Sequence, residues 1–143
     1  MKYLRDYLEA EQTRIFDEYG LFFAFNKKQL EDGRAKVIEK GLLEDGEKLA
    51  SLGSGAFVPE KNTKIALKKL NIAYKKAIEQ DVKENGLSAI IRRELDNHEF
   101  AVTWDIEDTY EALSNYPNIT RDRILEEIPS WIKIKEAREK DLH

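Results

Sequence analysis

Residues 62–85 read NTKIALKKLNIAYKKAIEQDVKEN, and this stretch decides the fold. Its apolar residues Ala66, Leu67, Leu70, Ala73, Tyr74, Ala77 and Ile78 recur every three or four positions, the period of one helix face. No proline or glycine interrupts the run, and Gly86 stands where a long helix is expected to close. Such a helix, roughly 35 Å long at ~1.5 Å per residue, predicts a mainly α chain built around it.

Toward the N-terminus, Leu4, Leu8, Ile15, Phe16 and Tyr19 share a face of a helix over 3–19 that Gly20 ends. Asn26 is expected to cap a second helix through about Lys40, weakened by Gly33. Between them lies the apolar run Leu21 to Phe25, and residues 48–58 read as two short extended segments around Gly53-Ser54-Gly55. Toward the C-terminus the pattern predicts a helix over 87–96, a strand-like alternation of Phe100, Val102 and Trp104, and a short helix that Asp105 caps and that runs through Leu113. Thr120 then caps a further helix, and Pro129 begins or kinks the last one. The expected architecture is a single compact domain over 1–143, mainly α with about six helices, plus a small β element drawn from residues 21–25, 48–58 and 99–104.

The chain has 143 residues, 24 Lys and Arg against 28 Asp and Glu, and a formal charge of -4. Its 41% hydrophobic and 10% aromatic content favours folding over disorder, while 36% charged residues exceeds the usual ~25%. The absence of cysteine excludes disulfides, thiolate nucleophiles, cysteine zinc sites and iron–sulfur clusters. The opening Met-Lys-Tyr-Leu-Arg-Asp has no apolar signal core, and no run approaches the ~20 apolar residues a spanning helix needs. A cytoplasmic protein away from membranes is the expectation.

The net charge conceals two opposed segments. Glu60 to Lys76 holds six Lys and one Glu, whereas Glu94 to Glu111 holds seven acids and no Lys or Arg. On the helical wheel Lys61, Lys64, Lys68 and Lys75 fall within roughly 60° of one another. Ile65 and Ile72 project among them, so Lys64, Ile65, Lys68, Ile72 and Lys75 form a candidate partner-binding face, for another protein or for a second copy in a homodimer. Solvated lysines whose stems lie over the chain's own packing account for the same pattern. Nucleic acid is disfavoured as the partner, because the chain is acidic overall and the stripe contains no Arg.

A phosphate-binding alternative uses Ser51, Gly53, Ser54, Gly55 and Lys61, because successive backbone N–H groups and a following helix N-terminus attract anions. The spacing matches neither the Walker nor the dinucleotide pattern, and a tight hairpin turn explains the same glycines. Asp105 with Asp108, or Glu94 with His98, has metal-ligand spacing, but helix-start chemistry accounts for the aspartates, and no metal or cofactor is expected. His98 lacks a matching nucleophile and reads as a surface residue after Asn97; Trp104 and Trp131 read as core.

As a whole the order of segments is familiar: YLRDYLEAEQT at 3–13, Phe22 to Asn26, Ser51 to Pro59, Ile78 to Gly86 and Arg93 to Asn97. Together they resemble a domain-of-unknown-function family of small uncharacterised proteins from phages and mobile elements of gut bacteria. That resemblance implies an accessory role in such an element and no activity, so it transfers no catalytic residue. The function expected is non-enzymatic binding of another protein, with capture of a nucleotide or phosphorylated metabolite by the Gly53-Ser54-Gly55 loop as the alternative.

Overall fold

Helix α1, Leu4–Tyr19, starts where the Asp6 carboxylate accepts the N–H of Tyr3 at 2.7 Å and stops where the N–H groups of Gly20 and Leu21 both donate to Phe16 C=O. Helix α2, Lys27–Glu39, is capped by the Asn26 side chain, which accepts the N–H of Gln29 at 2.8 Å, while Gln29 reaches back to the N–H of Phe25. Gly33 lies inside α2 because the Phe22 ring rests on it: a Cβ there would sit 2.3 Å from the ring. The propensity lost relative to alanine, about 1 kcal/mol, is exchanged for aromatic packing on bare backbone. The computed structural model describes residues 1–141, and these fold as two compact units, one of Tyr3–Ala77 and one of Met1–Lys2 with the residues from Ile78 onward.

In the first unit, strands β1 (Phe22–Phe23), β2 (Leu49–Gly53) and β3 (Ala56–Pro59) form an antiparallel sheet in the order β1-β3-β2. Gly53 pairs with Ala56, so the connection is Ser54-Gly55, both at positive φ (52° and 82°), the signature of a type I′ hairpin. Leu52 is the extra residue of a bulge between the Ser51↔Phe57 and Gly53↔Ala56 pairs. A 3₁₀ turn at Glu60–Asn62 leads into α3, Thr63–Asn85. Leu21, Val58 and Ala66 are buried together, with Phe16, Tyr19, Ala50, Leu52 and Leu70 packed around them.

The second unit contains the end of α3 from Ile78, then α4 (Leu87–Asn97), α5 (Phe100–Thr103), α6 (Glu107–Ala112) and α7 (Arg121–Asp141). Its core includes Ile90, Ile91, Leu95, Phe100, Leu113, Ile124 and Trp131. The Thr120 cap forms, its hydroxyl accepting the N–H of Arg123 at 3.1 Å, and the Asp105 side chain accepts the N–H of Glu107 at 2.9 Å. Among the described residues there are seven α-helices, and 69% of those residues are helical.

Four expectations need correction. Residues 99–104 are not a strand: Phe100–Thr103 forms one helical turn, flanked by Glu99 and Trp104 in the left-handed region. The i, i+4 spacing lets the Phe100 and Trp104 rings meet edge-on at 5.2 Å, a contact that replaces the shared strand face implied by alternation. Trp104 is consequently 63% exposed and Val102 78% exposed, so of the two tryptophans Trp131 alone is buried. Leu67, assigned to the core face of α3, is exposed; Ala66 and Leu70 are turned inward instead. Finally, Pro129 does not begin a helix of its own: α7 is one helix with Pro129 inside it, at an exposed position.

Candidate functional site

Helix α3 turns small residues inward, with Ala66, Ala73 and Ala77 all buried, and leaves its opposite side to solvent. There Lys64, Ile65, Lys68, Ile72 and Lys75 are all exposed, Ile65 by 42% and Ile72 by 39%. The other lysines of the segment are used within their unit. Lys61 Nζ lies 2.8 Å from the Glu47 carboxylate and holds it below the usual carboxylate range, while Lys69 and Lys76 add smaller attractions to Glu11 of α1, whose main partner is Arg14. Among the described residues no hydrogen bond or ion pair engages Lys64, Lys68 or Lys75. The five residues singled out from the sequence therefore do lie on one open face.

The residues of the phosphate alternative are not brought together. Ser51 and Gly53 belong to β2 and Ser54-Gly55 to the hairpin turn, whereas Lys61 follows the far end of β3, roughly 13 Å from that turn at ~3.3 Å per strand residue. Gly55 is covered as well: a Cβ there would sit 2.3 Å from the Phe25 ring, and its carbonyl accepts the N–H of Ala24 at 2.9 Å. The Ser51 hydroxyl accepts the N–H of Gly53 at 3.3 Å.

A groove of about 480 Å³ that the sequence did not announce runs between α2 and β2. Leu30 and Arg34 line it from the helix, Leu49 and Phe57 from the sheet, and Lys48 from the residue just before β2. One Arg34 nitrogen donates to the Glu47 carbonyl at 2.6 Å. The groove requires three segments distant in sequence, so no local motif marks it. A smaller hollow of about 180 Å³ between Gln12, Thr13, Phe16 and Phe23 adjoins the exposed, stacked Phe23 and Phe25 rings.

In the second unit the polar groups are spent on one another. Asp81 is fully buried and receives both terminal nitrogens of Arg93 (3.0 and 2.9 Å), the Asn85 amide (2.8 Å) and the Tyr116 hydroxyl. Burial, the largest influence, pushes the Asp81 carboxyl up, but Arg93, Tyr116 and Asn85 together outweigh it and hold it below its ordinary value. Burial and the neighbouring Asp81 carboxylate push the Tyr116 phenol up. Arg93 also donates to Lys2 C=O at 3.3 Å, which ties the N-terminal dipeptide to this unit. The signal for Asp81 lay in its position: four residues after Ala77 and three after Ile78, it continues the apolar face of α3.

The acidic segment is used similarly. Glu94 contacts Arg93 and His98 (3.1 and 3.3 Å), Asp96 accepts the Trp131 indole N–H (3.0 Å), and Glu107 forms a two-pronged pair with Arg121 (2.8 and 3.0 Å). Among the described residues no group of three or more His, Cys, Asp or Glu could hold a metal ion. No helix there is long and apolar enough to cross a membrane. Charge divides by unit: Tyr3–Ala77 carries 14 Lys and Arg against 12 Asp and Glu, the rest of the chain 10 against 16.

Among models of known families, one described as a family of unknown function (DUF7659) matches residues 4–133. No curated protein and no solved structure matches the chain.

Proposed function

Since the chain belongs to that family of unknown function, its role is read from its own surfaces, and we propose that it is a non-enzymatic binding protein whose α3 face docks an acidic partner protein. One observation carries this: Ile65 and Ile72 stand exposed between Lys64, Lys68 and Lys75, and those cations have no acid to answer them among the described residues. Apolar side chains supply the desolvated centre of an interface, and a ring of cations selects an acidic rim on the partner and speeds encounter. The net positive charge of the Tyr3–Ala77 unit favours the same partner chemistry. The resemblance to phage and mobile-element proteins adds an accessory role in such an element to this proposal.

The test is a photo-crosslinking amino acid at Lys68, used in cells that naturally carry the protein. A protein adduct is expected that survives nuclease and drops about tenfold in the folded Ile65→Ser/Ile72→Ser variant, the loss of roughly 1.4 kcal/mol. An adduct that nuclease removes, or one indifferent to the isoleucines, would overturn the proposal.

A further inference from the structure

Strand β2 is an edge of the sheet, and its free side has a definite pattern of main-chain groups. Glu60 N–H donates to Lys48 C=O at 2.9 Å, and Leu49, Ala50 and Ser51 lie opposite Pro59, Val58 and Phe57. Antiparallel pairs alternate between bonded and non-bonded, and Pro59 has no N–H to give Leu49. Lys48 and Ala50 therefore direct their N–H and C=O toward β3, while Leu49 and Ser51 direct theirs out of the sheet. Among the described residues no backbone bond from another element reaches either of the two.

The groove between α2 and β2 lies beside the same two residues. Side chains alternate across a sheet, so Leu49 and Ser51 share a face with Phe57 and with its partner Phe22, the ring seated on Gly33 of α2. Helix α2 is thus docked over β1, and the groove of about 480 Å³ stays open toward β2, within the ~300–1,000 Å³ range of ligand pockets. Its lining combines apolar Leu30, Leu49 and Phe57 with two acids, Glu31 and Glu47, and two cations, Arg34 and Lys48. Lys61 already answers Glu47, which leaves Lys48 and the remaining donors of Arg34 against Glu31 alone.

We infer that this edge and groove receive an extended acidic segment of a partner protein as a fourth strand. Its main chain pairs with Leu49 and Ser51, one apolar side chain enters between Leu30 and Phe57, and a carboxylate meets Arg34 and Lys48. Strand addition of this kind draws affinity from main-chain bonds and specificity from pockets for alternate side chains. The bulge at Leu52 and the cation at Lys48 keep the free edge to about three residues, long enough for a short guest strand and too short to template stacking of the chain on itself. The inference uses no residue of α3 and stands independently of the docking face proposed above.

The probes are acetylated, amidated seven-residue peptides in which a valine or leucine has a glutamate two positions to either side, so that all three face α2, with threonine between them; the same peptide with lysine for glutamate; and the acidic peptide N-methylated at every second amide. Each is titrated into the full chain while amide exchange is followed by NMR. The acidic peptide is expected to slow exchange at Leu49 and Ser51 by about tenfold or more, the lysine version to bind several-fold more weakly, and the N-methylated version to lose the protection. Arg34→Glu should reverse the preference between the acidic and lysine peptides. Leu49→Pro removes an outward N–H that no ladder bond uses and should abolish protection at Ser51. No binding by any peptide at about 1 mM, or equal binding of the N-methylated form, overturns the inference.

Discussion

Replacing Asp81 by asparagine keeps the shape of a buried side chain and removes its charge. The side chains of Asp81 and Arg93 are 0% and 4% exposed, so neither has water to fall back on. The new amide oxygen still accepts one guanidinium N–H, but its NH₂ group faces donors where the carboxylate accepted from Arg93 and from the Tyr116 hydroxyl. Arg93 keeps Glu94 at 3.1 Å, but the loss of its fully buried counter-ion and the opposed donors should cost about 3–5 kcal/mol, which at ~2–4 °C per kcal/mol lowers Tm by roughly 6–20 °C. Both tryptophans lie in the unit that contains Asp81, so urea unfolding followed by their fluorescence reports on that unit directly.

The pH dependence supplies a second, signed test. The folded carboxyl is depressed, so its stabilisation is fully present above the unfolded value of ~3.9 and is lost as pH falls through the folded value. The gap between wild type and Asp81→Asn should be flat from pH 8 to about 5, begin to shrink below about 4, where the unfolded side chain protonates, and close only below the folded value, where the wild-type side chain is itself neutral. Adding Arg93→Met to Asp81→Asn should recover part of the loss, since the buried cation is then removed along with its buried counter-ion. A loss under about 1 kcal/mol, or a gap unchanged from pH 7 to 3, would refute the assignment of this pair as an essential buried ion pair.

Gly33→Ala, normally favourable in a helix, should destabilise by about 1–3 kcal/mol because its Cβ meets the Phe22 ring at 2.3 Å; Phe22→Leu in the same chain should recover part of that, and denaturant midpoints measure both. Pro129→Ala should stabilise by about 1–3 kcal/mol by restoring an intrahelical bond in α7, read as a rise in Tm.

Local chemistry was legible where it was sufficient. The Asn26 and Thr120 caps, the Gly20 stop, the period of α3 and the glycine turn at 53–55 each depend on a few adjacent residues, and each forms as the pattern implies. Reading failed where a partner distant in sequence decides the outcome. Alternation at 100–104 suits a strand, but a strand requires a neighbour, and Phe100 found Trp131 and Trp104 through a helical turn. Gly33 looked like a flaw in α2 until Phe22 lay across it.

The candidate site divides in the same way. The sequence alone determined that Lys64, Ile65, Lys68, Ile72 and Lys75 share a helix face, because the 3.6-residue period is a property of the backbone itself. That this face is open, that Lys61 is claimed by Glu47, and that α2 leaves a groove beside the free edge of β2 were decided by tertiary structure. Burial, ion pairing and grooves are relations between segments that meet only after folding, and no local pattern encodes which segments those are.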